Sequence, residues 1–268
     1  MPYIEVEKDV NLYYEEAGNG QTIIFIHGVW MSSRFFQQQL NFFKKDFHTI
    51  LLDLRGHGES SKPAHGNTIN GYAKDLHNFM TKKDLKDVVL VGWSMGAFVV
   101  WEYLKEFGEK NIKGSVIVDE MASDFKWEDY PQGAFDMNAL IDIMRAMQTD
   151  RVGFLKGFLP LMFKEEMKEK TLSWMLEETT KMSESVAGAV LFDQTVVDYR
   201  SFFSSIKTPT LLCFGKEEKL IPVAAGEEIH REITNSRLEI FEDSCHCPFL
   251  EETDRFNEVV STFVKELL

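Results

Sequence analysis

The chain has 268 residues, 44% of them hydrophobic, with 43 acidic against 29 basic side chains and a net charge of −14. That length suits one large domain, alone or with an insertion, and that apolar content is enough to bury a core. So acidic a surface repels phosphate backbones and anionic lipid heads, which disfavours nucleic acid and membrane as partners and leaves a small molecule as the expected one.

The opening residues, MPYIEVEKDV, carry charges and no apolar run, so no secretory signal is read there. Residues 3–7 and 10–16 alternate apolar with polar, which predicts an antiparallel, half-exposed pair at a sheet edge. Residues 22–27, 47–53, 87–92, 112–119 and 208–215 are continuous runs rich in Ile, Val, Leu and Phe, the pattern of strands covered on both faces. Between these runs Tyr72, Leu76, Phe79 and Met80 share one helix face, and near the end Phe256, Val259, Val260, Phe263, Val264 and Leu267 share another. The order β-β-β-α-β-α-β-α-β predicts an α/β fold, a mostly parallel sheet with helices on both faces. The longest apolar stretch, 88–101, is broken by Gly92, Ser94 and Gly96 and is shorter than the roughly 20 residues that span a bilayer.

The alternation stops between residues 120 and 204. This segment has no convincing strand, at least three helical patterns and eight of the twelve methionines, with Phe125, Trp127, Phe154, Phe158 and Trp174 among its aromatics. It reads as a helical cap over 120–204, inserted into a core made of 1–119 and 205–268. Its Met and Phe suit ordinary helix packing, and some of them suit an adaptable apolar pocket wall.

Gly92-Trp93-Ser94-Met95-Gly96 is G-x-S-x-G placed after an apolar strand and before a helix. That context predicts a sharp, strained turn that projects the serine hydroxyl, with a helix N-terminus behind it favouring developing negative charge. A serine needs a base, and the base needs an acid to orient it. Of the seven histidines, His246 follows the last predicted strand, so it shares with Ser94 the sheet rim where ligands bind. An oxyanion hole needs two backbone N–H donors; Met95, after the serine, supplies one, and Val29, in the HGVW loop after 22–27, the other. His246 lies between Cys245 and Cys247, but the one remaining cysteine, Cys213, sits in a strand, so neither a structural metal site nor a disulfide framework is read.

Taken together, FIHGVW, LLDLRGHGESSKP, LVGWSMG, TPTLLCFGKEEKLIP and EDSCHCPFLEETDRFNEVVSTFV occur in the order of the landmarks of the α/β-hydrolase superfamily, which the chain resembles over nearly its whole length. Within it the chain is most similar to small carboxylesterases and non-haem haloperoxidase-like perhydrolases. The resemblance implies an eight-stranded sheet, a helical cap and serine-hydrolase chemistry on esters, with no metal or organic cofactor.

Two positions depart from the pattern. Where relatives show G-x-x-D-x-x-x-P, this chain has GKEEKLIP, which puts Glu218 at the acid position. Asp119, ending the preceding strand, is the alternative acid, as in relatives that carry theirs there. Cys245 stands where relatives usually have glycine, so either the loop is shaped differently or the residue is strained. Two thiols beside the base are also expected to make the site sensitive to oxidation. The reading is a cytoplasmic carboxylesterase for small to medium apolar esters, with Ser94, His246 and Glu218 as triad and Trp30 and Trp93 against the substrate, a core position being the equal alternative for Trp93. Perhydrolysis on the same triad and a ligand-binding signalling role are the alternatives, and a homo-oligomer is left open.

Overall fold

The computed structural model describes residues 2–268. Eight strands form one sheet: β1 (Tyr3–Glu7), β2 (Val10–Ala17), β3 (Thr22–Ile26), β4 (His48–Leu52), β5 (Val88–Trp93), β6 (Ile112–Val118), β7 (Thr210–Gly215) and β8 (Ser236–Phe241). Their spatial order is β1-β2-β4-β3-β5-β6-β7-β8. β1 pairs antiparallel with β2, and β2 with β4; every later pairing is parallel. The mostly parallel α/β sheet expected from the apolar runs is therefore present. All residues of β3, β5 and β7 are buried, as a strand covered on both faces requires. β1 and β2 alternate buried and open positions, as an edge pair does.

The helices are α1 (Gln37–Phe43), α2 (Ile69–Lys82), α3 (Met95–Phe107), α4 (Met137–Phe158), α5 (Glu169–Thr179), α6 (Glu184–Val196), α7 (Val223–Glu232), α8 (Pro248–Glu251) and α9 (Thr253–Glu266). α1 packs on α9 and α2 on α3. α2 starts where the Thr68 hydroxyl accepts from the Gly71 N–H, a side-chain cap that satisfies an otherwise orphaned donor. Its Tyr72, Leu76, Phe79 and Met80 are buried, as their spacing predicts. Between β6 and β7 the chain adds no strand to the sheet and forms α4, α5 and α6. α4 is two helices merged across a kink at Asp150. Among the described residues, no helix is long and apolar enough to cross a membrane.

Register makes the fold useful. Ile26 of β3 lies beside Gly92 of β5, Trp93 beside Val118 of β6, Val118 beside Cys213 of β7, and Gly215 beside Phe241 of β8. Five strands thus end at one level. The residues that follow them (27–30, 94, 119–120, 216–221 and 242–247) share one rim, the place where open α/β sheets bind ligands.

Candidate active site

Ser94 sits between β5 and α3 with φ 52° and ψ −127°. That left-handed conformation costs on the order of 1–3 kcal/mol in a non-glycine residue and lasts only where the surroundings enforce it. Here they do. The Ser94 N–H donates to Val118 O at 2.9 Å, tying the turn to β6. A Cβ at Gly92 would stand 2.4 Å from Gly96 O, and one at Gly96 would stand 2.3 Å from Ile26 O, so the turn closes only with glycine on both sides. Behind it, Met95 to Leu104 of α3 are all buried, which fixes the helix that the serine caps.

The HGVW loop approaches from β3. A Cβ on Gly28 would lie 3.2 Å from Ser94 Cβ, so this backbone runs against the serine. Val29 N–H finds no acceptor among the described residues, and Met95 opens α3, where the N–H has no intrahelical carbonyl. The loop is held by His27, whose Nδ1 is 2.8 Å from Gly28 O and whose Nε2 accepts the Leu54 N–H at 3.2 Å. His27 is a buried structural residue, and burial lowers its pKa.

His246 enters from the loop after β8. Its Nδ1 is 3.2 Å from Glu218 Oε2. The other carboxyl oxygen of Glu218 accepts from the N–H groups of Leu220 (2.5 Å) and Ile221 (3.0 Å), which pins the carboxylate in place. A carboxylate only accepts, so Nδ1 carries the ring proton toward it. Asp119, the alternative acid, points elsewhere: its Oδ1 accepts from Gly215 N–H at 2.9 Å, and its Oδ2 has no partner. Burial first, and then the Glu218 charge beside it, push the Asp119 carboxyl well above the usual carboxylate range. Even so, one oxygen from each acid and one ring nitrogen of His246 lie within 4.8 Å of one another, which is also the spacing of a metal-binding trio. The N–H donors on both acids and the Glu218–imidazole contact suit a histidine–acid pair.

Ser94, His246, Val29 and Trp30 line one cavity of about 600 Å³. Trp30, at φ 64°, turns its indole toward α4 and α6, donating to Ala187 O at 3.1 Å and meeting the rings of Phe154 and Phe158 edge-on. Of the two readings for Trp93, pocket wall and core, the structure has the core. The residue is absent from the cavity wall and fully buried among Phe35, Phe36 and Phe249, and its Nε1–H donates to His246 O at 2.8 Å. The reason is period-2 geometry: Trp93 ends β5, so it points into the sheet face while the next residue turns to the rim. Its work is to hold the histidine's backbone.

The cysteines are also explained. All three are free, buried thiols. Cys245 is not among the residues at positive φ, so it carries no left-handed strain. Its N–H donates to Glu251 Oε2 at 2.7 Å and its thiol to Leu161 O at 3.3 Å, while His246 N–H donates to Met162 O at 3.1 Å. The thiol therefore fastens the histidine loop to the short 3₁₀ turn that follows α4. Burial, with the Glu218 charge adding to it, pushes Cys245 up to about 12, which works against the thiolate that the expected oxidation sensitivity needs.

Three cavity residues escaped the sequence reading. Glu120, Asp124 and Gln194 line the same wall and are all buried. The available signal was DEMASD, three acids in six residues at the end of an apolar strand.

Comparison with known proteins agrees with this architecture. An esterase from Exiguobacterium antarcticum superposes with a TM-score of 0.93 at 28% identity, with 98% of each chain covered. A bromoperoxidase from Bacillus anthracis superposes with a TM-score of 0.91 at 26% identity, with 96% of each covered. By sequence, a non-heme chloroperoxidase from Kitasatospora aureofaciens is 26% identical over 92% of this chain and 92% of its own. A family model of the alpha/beta hydrolase fold matches residues 21–253, and with the sheet, the serine turn and the rim in the family's order the chain belongs to the alpha/beta hydrolase fold family.

Proposed function

We propose that the protein is a carboxylic ester hydrolase acting on small to medium apolar esters through Ser94, His246 and Glu218. The observation that carries this is the strained Ser94 turn sharing one apolar cavity with a histidine whose Nδ1 meets a doubly anchored carboxylate. Ser94 Oγ attacks the ester carbonyl as His246 takes its proton. The Val29 and Met95 N–H groups receive the oxyanion. His246 returns the proton to the departing alcohol, water attacks the acyl-enzyme, and Ser94 is restored. Glu218 keeps the imidazole in the right tautomer and stabilises the imidazolium. The helical segment 120–204 acts as the cap, since Phe154, Phe158, Leu161 and Leu191 close the cavity from that side.

Turnover of p-nitrophenyl butyrate, and its loss in Ser94→Ala, tests the reading; a purified protein without turnover, or a Ser94→Ala that retains it, defeats it. The haloperoxidase names among the relatives support a second activity on the same residues, peracid formation from a carboxylic acid and hydrogen peroxide. Bromination of monochlorodimedone with acetate and peroxide present measures it.

A further inference from the structure

The cavity has a buried side and an open side. On the buried side stand Trp30 and Leu191, at 2% and 3% exposure. On the open side Gly153, Gly157 and Leu161 line the cavity and are exposed, Leu161 at 45%. Spaced i, i+4 and i+8, these three follow one edge of α4 into the 3₁₀ turn beyond it. Phe154 and Phe158, each one residue on from a glycine, line the cavity too. The cavity therefore faces the strip between the phenylalanine row and the glycine row, and a side chain on the glycine row would stand at its mouth. Lys219, the charged residue exposed there, is turned away: its Nζ donates to Phe163 O at 2.6 Å. The rim is left to Leu161 and the glycines.

Glycine inside a helix is destabilising, because it has more backbone freedom to lose than alanine. Gly153 has a local reason to be glycine. A Cβ there would lie 2.1 Å from Asp150 Oδ2, and the same carboxylate accepts the Gly153 N–H at the kink of α4. Gly157 has no such reason. Among the described residues it is the only glycine with neither a positive φ nor a packing neighbour within 4 Å of where its Cβ would stand. A wall residue of the catalytic cavity thus lacks a side chain for no cause of backbone or packing, and what the absence provides is room.

The chemistry tells the two arms of a bound ester apart. His246 returns the proton to the departing alcohol, so the alcohol oxygen lies on the histidine's side. The open side lies there as well: Leu161 O accepts the Cys245 thiol at 3.3 Å, and Met162 O accepts the His246 N–H at 3.1 Å. Val29, the oxyanion donor from the HGVW loop, is followed by Trp30 on the buried side. The acyl arm faces a closed wall and the alcohol arm faces an open one.

We propose that the alcohol arm of the substrate leaves the cavity over Leu161 through the gap at Gly157, so that the preferred esters join a short acyl group to a longer apolar alcohol chain and Gly157 sets the length tolerated. The assignment of the arms rests on the ester-hydrolase reading; the gap itself does not.

Kinetics on the full chain compare kcat/KM for octyl acetate over butyl acetate, and for p-nitrophenyl octanoate over p-nitrophenyl butyrate, in the wild type, Gly157→Ala and Gly157→Leu. The wild type should favour octyl over butyl acetate. Gly157→Leu should lower that ratio about tenfold or more, the worth of lost methylene contacts in an apolar pocket, and Gly157→Ala should fall between. The acyl ratio should stay near its wild-type value. A wild type that favours butyl acetate, an octyl-to-butyl ratio unchanged in Gly157→Leu, or an acyl ratio that falls in its place overturns the proposal and leaves the hydrolase standing. Absence of all cleavage defeats the hydrolase reading, and calorimetry with 1-butanol and 1-octanol then decides the gap alone. Octanol should bind tighter, and Gly157→Leu should remove most of the difference; an octanol-to-butanol affinity ratio that is the same in both proteins overturns it. Leucine favours a helix over glycine, so both variants should fold, which a melt beside the wild type confirms.

Discussion

Glu218→Gln and Asp119→Asn separate the two acids, and the structure gives the size of each effect. In Glu218→Gln the amide oxygen stays on the Leu220 and Ile221 N–H groups, since the amide nitrogen cannot accept them. The NH2 group is then forced toward His246 Nδ1, 3.2 Å away in the native protein. Two donors cannot face each other, so the imidazole must move its proton to Nε2, the atom that has to accept from Ser94. Activity on p-nitrophenyl butyrate should fall about 10⁴-fold, equivalent to about 5.5 kcal/mol of transition-state stabilisation. Asp119→Asn should be mild. Burial pushes the Asp119 carboxyl well above the usual carboxylate range, and the amide oxygen can keep the Gly215 N–H, so asparagine keeps the shape and removes a charge that the site already disfavours. A change within about threefold is expected, the usual reach of a substitution that preserves shape. Stopped-flow release of p-nitrophenol, with circular dichroism to confirm folding, measures both. A Glu218→Gln protein within tenfold of wild type, beside an Asp119→Asn protein that has lost activity, would falsify the assignment.

Further outcomes follow from the same contacts. Trp93→Phe orphans the His246 carbonyl and should destabilise the fold by about 1–3 kcal/mol, read as a lowered Tm, with kcat reduced; an unchanged Tm contradicts the role given to the indole. Gly28→Ala puts a methyl 3.2 Å from Ser94 Cβ and should lower kcat by about tenfold or more while Tm changes little, which a pNP-ester assay beside a melt resolves. Iodoacetamide at pH 8 should leave Cys245 unmodified in the folded chain, because about one thiol in 10⁴ is ionised there, and should label it after unfolding; fast native labelling by mass spectrometry refutes its burial. Glu120 titrates higher in the folded than in the unfolded chain, so the stability it lends is full below the unfolded value and is lost as pH rises toward the folded one. Glu120→Gln removes that loss, so its Tm relative to wild type should rise between pH 5 and 8; a constant or falling difference counts against it.

The sequence made the sheet legible because each core strand is apolar throughout. The runs at 22–27 and 112–119 became Thr22–Ile26 and Ile112–Val118, with errors only at the ends, where one hydrogen bond decides the boundary. Ser94 and His246 were legible because each follows a strand whose end the fold must bring to the rim. Trp93 was not, because G-x-S-x-G does not say which flanking side chain faces the substrate. That Glu218 meets the imidazole depends on a turn whose N–H groups at 220 and 221 hold the carboxylate, and no pattern encodes their direction. Glu120, Asp124 and Gln194 were hidden for a further reason. Gln194 is distant in sequence and meets Asp124 only through the folded position of α6.

The two acids beside His246 have a consequence in descent. Moving a catalytic acid from the end of one strand to the end of the next cannot pass through a form that lacks both without losing function. A protein that carries both, one engaged with the imidazole and one whose ionisation burial disfavours within 4.8 Å, has the form of a midpoint in such a move. Were Glu218 lost, the charge that helps keep Asp119 protonated would go with it, and the spare acid would become easier to ionise at the step where it is needed. Asp119 thus stands near the same imidazole, and recruiting it would also require releasing its Oδ1 from the Gly215 N–H, a step beyond the loss of Glu218 alone.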